Sequence, residues 1–145
     1  MRIKIVFLFS LIFLLAACSD KNLTFLEGDK KNISEFKGSW LLINYWAGWC
    51  KPCLEEIPEL NVFNSRSDVQ VLAFNYDQLD GEALKEQIGK FGIEYRSLNT
   101  DPAPLFQLGK PTGLPATIVI NPKGQYVEWL YGAQNKVSLE EVLSK

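Results

Sequence analysis

Residues 40–53 read WLLINYWAGWCKPC, and this stretch decides the fold. Its first half, Trp40–Trp46, is a nearly continuous apolar run broken only by Asn44, which predicts a strand buried on both faces of a sheet. After a short loop, apolar residues recur at roughly helical spacing from Cys50 to about Phe63, which predicts a helix. The stretch therefore places two cysteines at the point where a buried strand turns into a helix.

Outward from this stretch, the same criteria predict an alternation of strands and helices. Apolar runs predict strands at residues 69–76, 95–98, 116–120 and 125–131. Helices are predicted at residues 81–90 and 102–108 and from Ser138 onward. Asp80 is the predicted N-cap of the first of these, and Ser138 with Glu141 forms a predicted capping box for the last. Residues 23–39 are expected to hold turns and a single helical turn, and the order of elements indicates an α/β domain around a central mixed β-sheet flanked by helices.

The composition excludes several classes of site. The 145 residues contain three cysteines and no histidine, so a Ser-His-Asp triad, a Cys-His pair and a histidine-ligated zinc or haem are all ruled out. The length allows one domain. A formal net charge of −2 gives no electrostatic surface for nucleic acid, and we expect no nucleic-acid partner and a monomer.

The first 17 residues have the pattern of an export signal. Arg2 and Lys4 precede an apolar run of about 13 residues, which is shorter than the roughly 20 residues that span a bilayer as a helix. The run ends in LAAC at residues 15–18. This ending resembles the lipobox of bacterial lipoproteins, in which an aliphatic residue and two small residues precede a lipid-bearing cysteine.

The lipoprotein resemblance implies cleavage before Cys18 and anchoring to a membrane through lipid on Cys18. A signal peptide would then occupy residues 1–17, a lipidated tether residues 18–22, and the folded domain residues 23–145. The protein would face the periplasm, where disulfides persist, although a plain secretory signal stays open. Ser19 resembles the outer-membrane sorting signal of enterobacterial lipoproteins, and the choice between inner and outer membrane also stays open.

The chemistry depends on the two cysteines of Trp49-Cys50-Lys51-Pro52-Cys53. Cysteines at i and i+3 on a first helical turn can bring their sulfur atoms within bonding range. Free N–H groups at a helix N-terminus stabilise a thiolate, and Pro52 is well suited to the first turn. Lys51 adds a positive charge between the sulfurs.

A C-x-x-C pair beside a strand–helix junction indicates a thioredoxin-like redox motif. A zinc site would need further cysteine or histidine ligands that the chain lacks, so no metal is expected. A permanent structural disulfide and a Cu(I) site made by two thiolates stay open as alternatives. A peroxidase is disfavoured because no P-x-x-x-T-x-x-C pattern surrounds Cys50.

WAGWCKPC, with LLIN before it and GLPAT after it, resembles the thioredoxin superfamily. More narrowly, the chain is similar to the TlpA/ResA-like branch of membrane-anchored extracytoplasmic thiol–disulfide oxidoreductases. The resemblance implies a thioredoxin-like fold, Cys50 as the attacking nucleophile and Cys53 as the resolving cysteine. It also implies that Pro115 is a cis-proline facing the disulfide, and that Leu114 offers its backbone to the substrate.

Two polar positions depart from cytoplasmic thioredoxins. Asn44 stands where those proteins carry a buried aspartate, and Glu56 matches a glutamate of the TlpA/ResA-like branch. Cys53 and Glu56 lie at i and i+3 and share a helix face. Our hypothesis is that Glu56 is partly buried, has a raised pKa and exchanges a proton with Cys53; the alternative is a solvated helix carboxylate. Trp49 is expected to form an apolar rim where substrate docks.

The resemblance implies an enzyme that reduces protein disulfides through a Cys50–Cys53 dithiol/disulfide cycle, with no other cofactor. Such reductases often serve cytochrome c maturation or protect periplasmic thiols, and a membrane thiol donor would restore the dithiol. The rival hypothesis is a lipid-anchored thioredoxin-fold module that holds Cu(I) or a protein partner without turnover.

Overall fold

A computed structural model describes residues 21–145. The predicted signal peptide and the predicted lipidation site Cys18 lie outside the described residues. The strands and helices of the described part are, in chain order, β1 (Asn22–Thr24), β2 (Lys30–Asn32), β3 (Trp40–Trp46), α1 (Lys51–Asn64), β4 (Val69–Asn75), α2 (Gly81–Phe91), β5 (Arg96–Leu98), β6 (Ala116–Ile120), β7 (Tyr126–Tyr131) and α3 (Lys136–Leu143). Short 3-10 helices cover Ile33–Phe36 and Ala103–Phe106.

The central sheet has the strand order β5-β4-β3-β6-β7. Strand β3 runs parallel to β4 and antiparallel to β6, so the sheet is mixed. Because β3 has a neighbour on each side and side chains packed on both faces, it needs the continuous apolar run seen in the sequence. The prediction of an α/β domain around a central mixed sheet is confirmed.

Side chains of β3 alternate between two core clusters, as the two-residue period of a strand requires. Leu42 and Trp46 belong to a cluster that also holds buried side chains of α1, α2 and α3. Leu41, Ile43 and Tyr45 belong to the other cluster, which holds the N-terminal hairpin and the second 3-10 helix. Asn44 faces the first cluster, the side on which α1 and the two cysteines lie.

The segment before β3 contains a hairpin that the sequence did not reveal. Strands β1 and β2 pair antiparallel, and Asn22, the last residue of the predicted tether, begins β1. The hairpin is tied to β5, because the Arg96 guanidinium lies 3.7 Å from the centre of the Phe25 ring. Strands of three residues are too short to show a period, and β2 is wholly polar, so no pattern indicated them.

The start of α3 corrects a predicted cap. Asn135, rather than Ser138, is the N-cap of α3. The Ser138 N–H donates to the Asn135 side-chain oxygen at 3.1 Å, and the Asn135 N–H donates to Ser138 Oγ at 3.0 Å. The capping box therefore exists three residues earlier than predicted, because Asn and Ser are equally good N-caps. Asp80 does precede α2, but its side chain makes no capping hydrogen bond within residues 21–145.

In the part of the chain that the structure describes, no helix combines the length and the apolar character needed to cross a membrane.

Candidate active site

The loop after β3 brings Cys50 to the N-terminus of α1. Cys50 is the N-cap residue, with extended backbone angles, and Pro52 lies in the first turn. Cys50 and Cys53 are joined by a disulfide bond, and the Cys53 N–H donates to Cys50 Sγ at 3.3 Å. In the reduced protein the same N–H and the helix dipole would stabilise a thiolate on Cys50.

The two cysteines differ in position on the helix. Both residues are buried in the disulfide form, with an exposed fraction of 4% for Cys50 and none for Cys53. Because Cys50 is the N-cap residue and Cys53 lies inside the first turn, we expect a partner to reach the Cys50 sulfur first. Lys51 points into solvent, with its ammonium 3.9 Å from a carboxylate oxygen of Glu55, and its charge is screened there. The helix N-terminus, rather than Lys51, is the main positive field at Cys50.

Glu56 is the one buried carboxylate of the described residues, with an exposed fraction of 1%. Burial raises its pKa from 4.5 to about 7, although two hydrogen bonds oppose that shift. Gln134 donates its backbone N–H to Oε2 at 2.8 Å, and Asn44 donates from Nδ2 to Oε1 at 2.7 Å. Glu56 is therefore not a solvated helix carboxylate, which was the alternative to a buried one. The exchange of a proton between Glu56 and Cys53 stays a prediction.

The Asn44 side chain contacts strand β6 as well as helix α1. Its register partner across β3 and β6 is Thr117, and Asn44 Nδ2 lies 3.2 Å from Thr117 Oγ1. The other end of the amide, Oδ1, is buried and has no hydrogen-bond partner within residues 21–145. Leaving such an oxygen unpaired costs about 1–3 kcal/mol.

Sequence reasoning missed three contributors to this buried polar site. Thr117 could have been found from the strand pairing, but only once the register was known. Gln134 contributes a backbone N–H, which every residue except proline carries. Tyr95 is buried, and its hydroxyl has no partner among the described residues. Burial and then the nearby Glu56 charge raise the pKa of Tyr95, which keeps the phenol neutral.

The Leu114–Pro115 peptide bond is cis, as the family resemblance implies. Pro115 is followed by Ala116, which pairs with Tyr45 near the end of β3. The cis bond therefore lies at the same end of the sheet as the loop that carries Cys50. The Gly132 N–H donates to the Pro115 carbonyl at 2.9 Å, and Leu114 is half-buried against both core clusters.

Trp46 and Trp49 have opposite environments. Trp46 is completely buried, as predicted for core packing, whereas Trp49 has an exposed fraction of 67%. The Trp49 indole donates to both carboxylate oxygens of Asp77, at 3.0 and 3.2 Å. It borders a groove of about 300 Å³ that reaches Phe91 of α2. The exposed ring fits the predicted rim beside Cys50, and its contact with substrate stays a prediction.

A protein-family model described as the AhpC/TSA family matches residues 16–128. The chain belongs to the AhpC/TSA family. One relative is the thiol-disulfide oxidoreductase ResA of Bacillus anthracis. It is 30% identical over 125 residues, which cover 84% of this chain and 72% of that protein. The thioredoxin-like protein YneN of Bacillus subtilis (strain 168) is 26% identical over 136 residues, which cover 86% of this chain and 75% of that protein.

Solved structures show the same fold. StoA from Bacillus subtilis superposes with a TM-score of 0.65 at 19% identity, covering 86% of this chain and 95% of that chain. A DsbF homologue from Corynebacterium diphtheriae gives 0.71 at 19% identity, with 85% and 82% covered. The exposed lipoprotein thioredoxin Etrx1 from Streptococcus pneumoniae strain TIGR4 gives 0.65 at 21% identity, with 85% and 96% covered.

These findings confirm the predicted thioredoxin-like fold and the resemblance to ResA-type proteins. They also confirm the prediction of an enzyme, a thiol–disulfide oxidoreductase. The structure joins Cys50 to Cys53 in a disulfide, and their roles as nucleophile and resolving cysteine stay predictions. Within the AhpC/TSA family, this chain has Ile43 and Ala47 at the proline and threonine positions of the peroxidase pattern P-x-x-x-T-x-x-C. The expectation that Cys50 is not a peroxidase cysteine therefore stands.

Proposed function

We propose that this oxidoreductase works outside the cytoplasm as a membrane-anchored reductase of protein disulfides. One observation carries the proposal: a cysteine at the N-cap of a helix is disulfide-bonded to a fully buried cysteine three residues away, beside a buried carboxylate. That arrangement separates the two steps of disulfide exchange. Cys50 attacks, and Cys53 waits in a water-poor site until Cys50 is bonded to substrate.

The reaction balances in two steps. The Cys50 thiolate attacks one sulfur of a substrate disulfide, and the other substrate sulfur leaves as a thiolate. Cys53 transfers its proton to Glu56 and attacks Cys50 Sγ, which releases the second substrate thiolate and forms the Cys50–Cys53 bond. Two electrons have then moved from the protein dithiol to the substrate, and a membrane thiol donor must return them.

Glu56 supports the proton transfer of the second step. A buried thiol without a base stays protonated, because burial disfavours the thiolate. A carboxyl with a pKa of about 7 can accept that proton near neutral pH and return it later. The chain also passes from β4 to α2 within five residues, and no helical subdomain of the kind found in DsbA-like oxidases is inserted there.

Disulfide reduction by the protein tests the activity. Reduction of insulin by dithiothreitol should run faster with the wild-type protein than with Cys50→Ser, because only the wild type can form the mixed disulfide. Glu55→Gln, which changes an exposed carboxylate on the same helix, is the matched control and should behave as the wild type. Equal rates for wild type and Cys50→Ser would leave only the non-catalytic binding module.

The direction is tested by the steady-state redox form in cells. After acid quenching, alkylation should find Cys50 and Cys53 mainly as free thiols. A pair found mainly as the disulfide would point to an oxidase and refute the reductase assignment. Trapping with Cys53→Ala, which halts the cycle at the mixed disulfide on Cys50, then identifies the substrates by mass spectrometry.

Cys18→Ala tests the anchor. The wild-type protein should incorporate labelled fatty acid and sediment with membranes, and the alanine variant should do neither. The lipoprotein Etrx1, which has a similar fold, supports this part of the proposal, as does the lipobox-like LAAC sequence. Membrane association that persists without label in Cys18→Ala would refute lipid anchoring at this cysteine.

A further inference from the structure

Within residues 21–145, the Asn44 amide makes hydrogen bonds through only one of its two ends. Nδ2 lies 2.7 Å from Glu56 Oε1 and 3.2 Å from Thr117 Oγ1. Oδ1 is buried with no partner among the described residues. Both contacts therefore use the donor end of an amide that carries two donors at one end and an acceptor at the other.

This geometry suits the ionised form of Glu56 and conflicts with the protonated form. The Gln134 N–H lies 2.8 Å from Oε2, and a backbone N–H can only donate. Oε2 keeps this partner in both forms, and we place the added proton on Oε1, the oxygen whose partner is a side chain that can turn. A protonated Oε1 is itself a donor, so it would face the N–H hydrogens of Asn44 Nδ2.

We propose that the Asn44 side-chain amide turns by half a rotation whenever Glu56 gains or loses its proton, which makes Asn44 the positioning residue of the proton acceptor. With Glu56 ionised, Nδ2 donates to Oε1. With Glu56 protonated, Oδ1 takes the same place and accepts the hydrogen from Oε1. This inference rests on the proposed function, because it concerns how Glu56 serves Cys53.

Thr117 can follow the rotation without moving. Its hydroxyl both donates and accepts, so it accepts from Nδ2 in one state and donates to Oδ1 in the other. The register pair between Asn44 and Thr117 holds the two side chains opposite each other on adjacent strands. Each state then keeps the same number of hydrogen bonds, and one end of the amide stays unpaired in both.

Few other groups that titrate surround Glu56. Cys53 shares its face of α1, and Tyr95 approaches from the segment before β5, within the reach of the Glu56 charge. Strand β3, strand β6 and the segment before α3 contribute Asn44, Thr117 and Gln134, none of which titrates. In the disulfide form Cys53 carries no proton, so Glu56 is the one group among the described residues of this site that we expect to titrate near neutral pH.

The proton balance of the resolving step is then complete. Cys53 Sγ loses a proton, Glu56 Oε1 gains it, and the Asn44 amide turns to hold it there. When the dithiol is restored, the proton returns to Cys53 and Nδ2 again faces the carboxylate. No electrons move in this transfer, and the electron pair that forms the Cys50–Cys53 bond comes from the Cys53 thiolate.

Nuclear magnetic resonance of the full chain in its disulfide form tests the rotation. In ¹³C/¹⁵N-labelled protein, scalar coupling across the hydrogen bond from Asn44 Nδ2 to Glu56 Cδ should be present near pH 9 and absent near pH 5. The loss should have the same midpoint as the Glu56 Cδ titration. Glu56→Gln cannot titrate and should show an Asn44 signal independent of pH, whereas Glu55→Gln should repeat the wild-type result.

Coupling that persists at both pH values would overturn the rotation, and so would a Glu56 that fails to titrate between pH 5 and 9. Insulin reduction by the same sample separates this inference from the proposed function. A sample that reduces insulin but keeps Nδ2 on Glu56 throughout retains the function and loses the rotation. A sample that rotates but does not reduce insulin loses the function alone.

Discussion

Replacing Glu56 by glutamine should remove a pH dependence from the stability of the disulfide form. Burial raises the pKa of Glu56 from 4.5 to about 7 in the folded protein. In the unfolded chain the carboxyl returns to its ordinary value. Between these two values the folded protein holds a proton that the unfolded chain has lost, so the free energy of unfolding falls as the pH rises.

The size of the effect follows from the width of that window. Each pH unit is worth about 1.4 kcal/mol for a single proton, so the contribution of Glu56 to the stability of the wild type should fall by about 3 kcal/mol between pH 4.5 and pH 7. Below the window both states are protonated, and above it both are ionised, so the contribution is constant there. Glutamine has no proton to lose, and the Glu56→Gln curve should lack this decrease.

The measurement is urea unfolding of the oxidised protein, followed by tryptophan fluorescence at half-unit steps from pH 4 to pH 8.5. Working with the disulfide form keeps the thiols of Cys50 and Cys53 from titrating. The quantity of interest is the difference between wild type and Glu56→Gln at each pH, because the contributions of all other groups cancel in it.

Glu55→Gln is the matched control, since Glu55 is exposed on the same helix. Its curve should run parallel to the wild-type curve at every pH. The reasoning fails if wild type and Glu56→Gln also run parallel between pH 4.5 and pH 7. A Glu56→Gln protein that is steeper than the wild type would reverse the sign and equally refute a buried carboxyl with a raised pKa.

Three further substitutions probe the surroundings of the site. Trp49→Ala should change the free energy of unfolding by less than about 0.5 kcal/mol because the ring is exposed. Its kcat/KM should fall about tenfold for insulin and stay unchanged for a small disulfide substrate. Equal losses of kcat/KM for both substrates would contradict a docking role. Gly48→Ala should lower the free energy of unfolding by about 1 kcal/mol, because the new Cβ would lie 2.6 Å from Gln87 Oε1. Urea unfolding should show a smaller loss in a Gln87→Ala background, and an unchanged loss would mean that Gln87 is not the source of the strain. Tyr45→Phe removes a hydroxyl that donates to Asp101 at 2.6 Å, so the free energy of unfolding in urea should fall by about 2 kcal/mol. A decrease of less than about 0.5 kcal/mol would count against that hydrogen bond.

Most of the central sheet could be predicted from the sequence because its strands bury both faces. The prediction of β3 matches the structure at both ends, and that of β6 does so as well. Short or polar segments carry a weaker pattern. No pattern predicts the hairpin of β1 and β2, and the sequence places the α3 cap at Ser138 where the structure has Asn135.

The pairing of Cys50 with Cys53 was determined by the sequence alone, because its geometry is local. Cys50 and Cys53 are three residues apart at a strand–helix junction, so helical geometry by itself brings the sulfurs together. The same local spacing places Cys53 and Glu56 on one helix face, but it does not determine whether that face is exposed to solvent or buried.

Only the tertiary structure decided what Glu56 is. Its two hydrogen-bond partners, Asn44 and Gln134, lie 12 and 78 residues away in the chain. Burial under those elements removes water from the carboxyl and raises its pKa to about 7. The burial of Glu56 and its hydrogen bonds to distant residues both depend on how separate segments of the chain pack together. The spacing of residues along one helix therefore predicts neither of them.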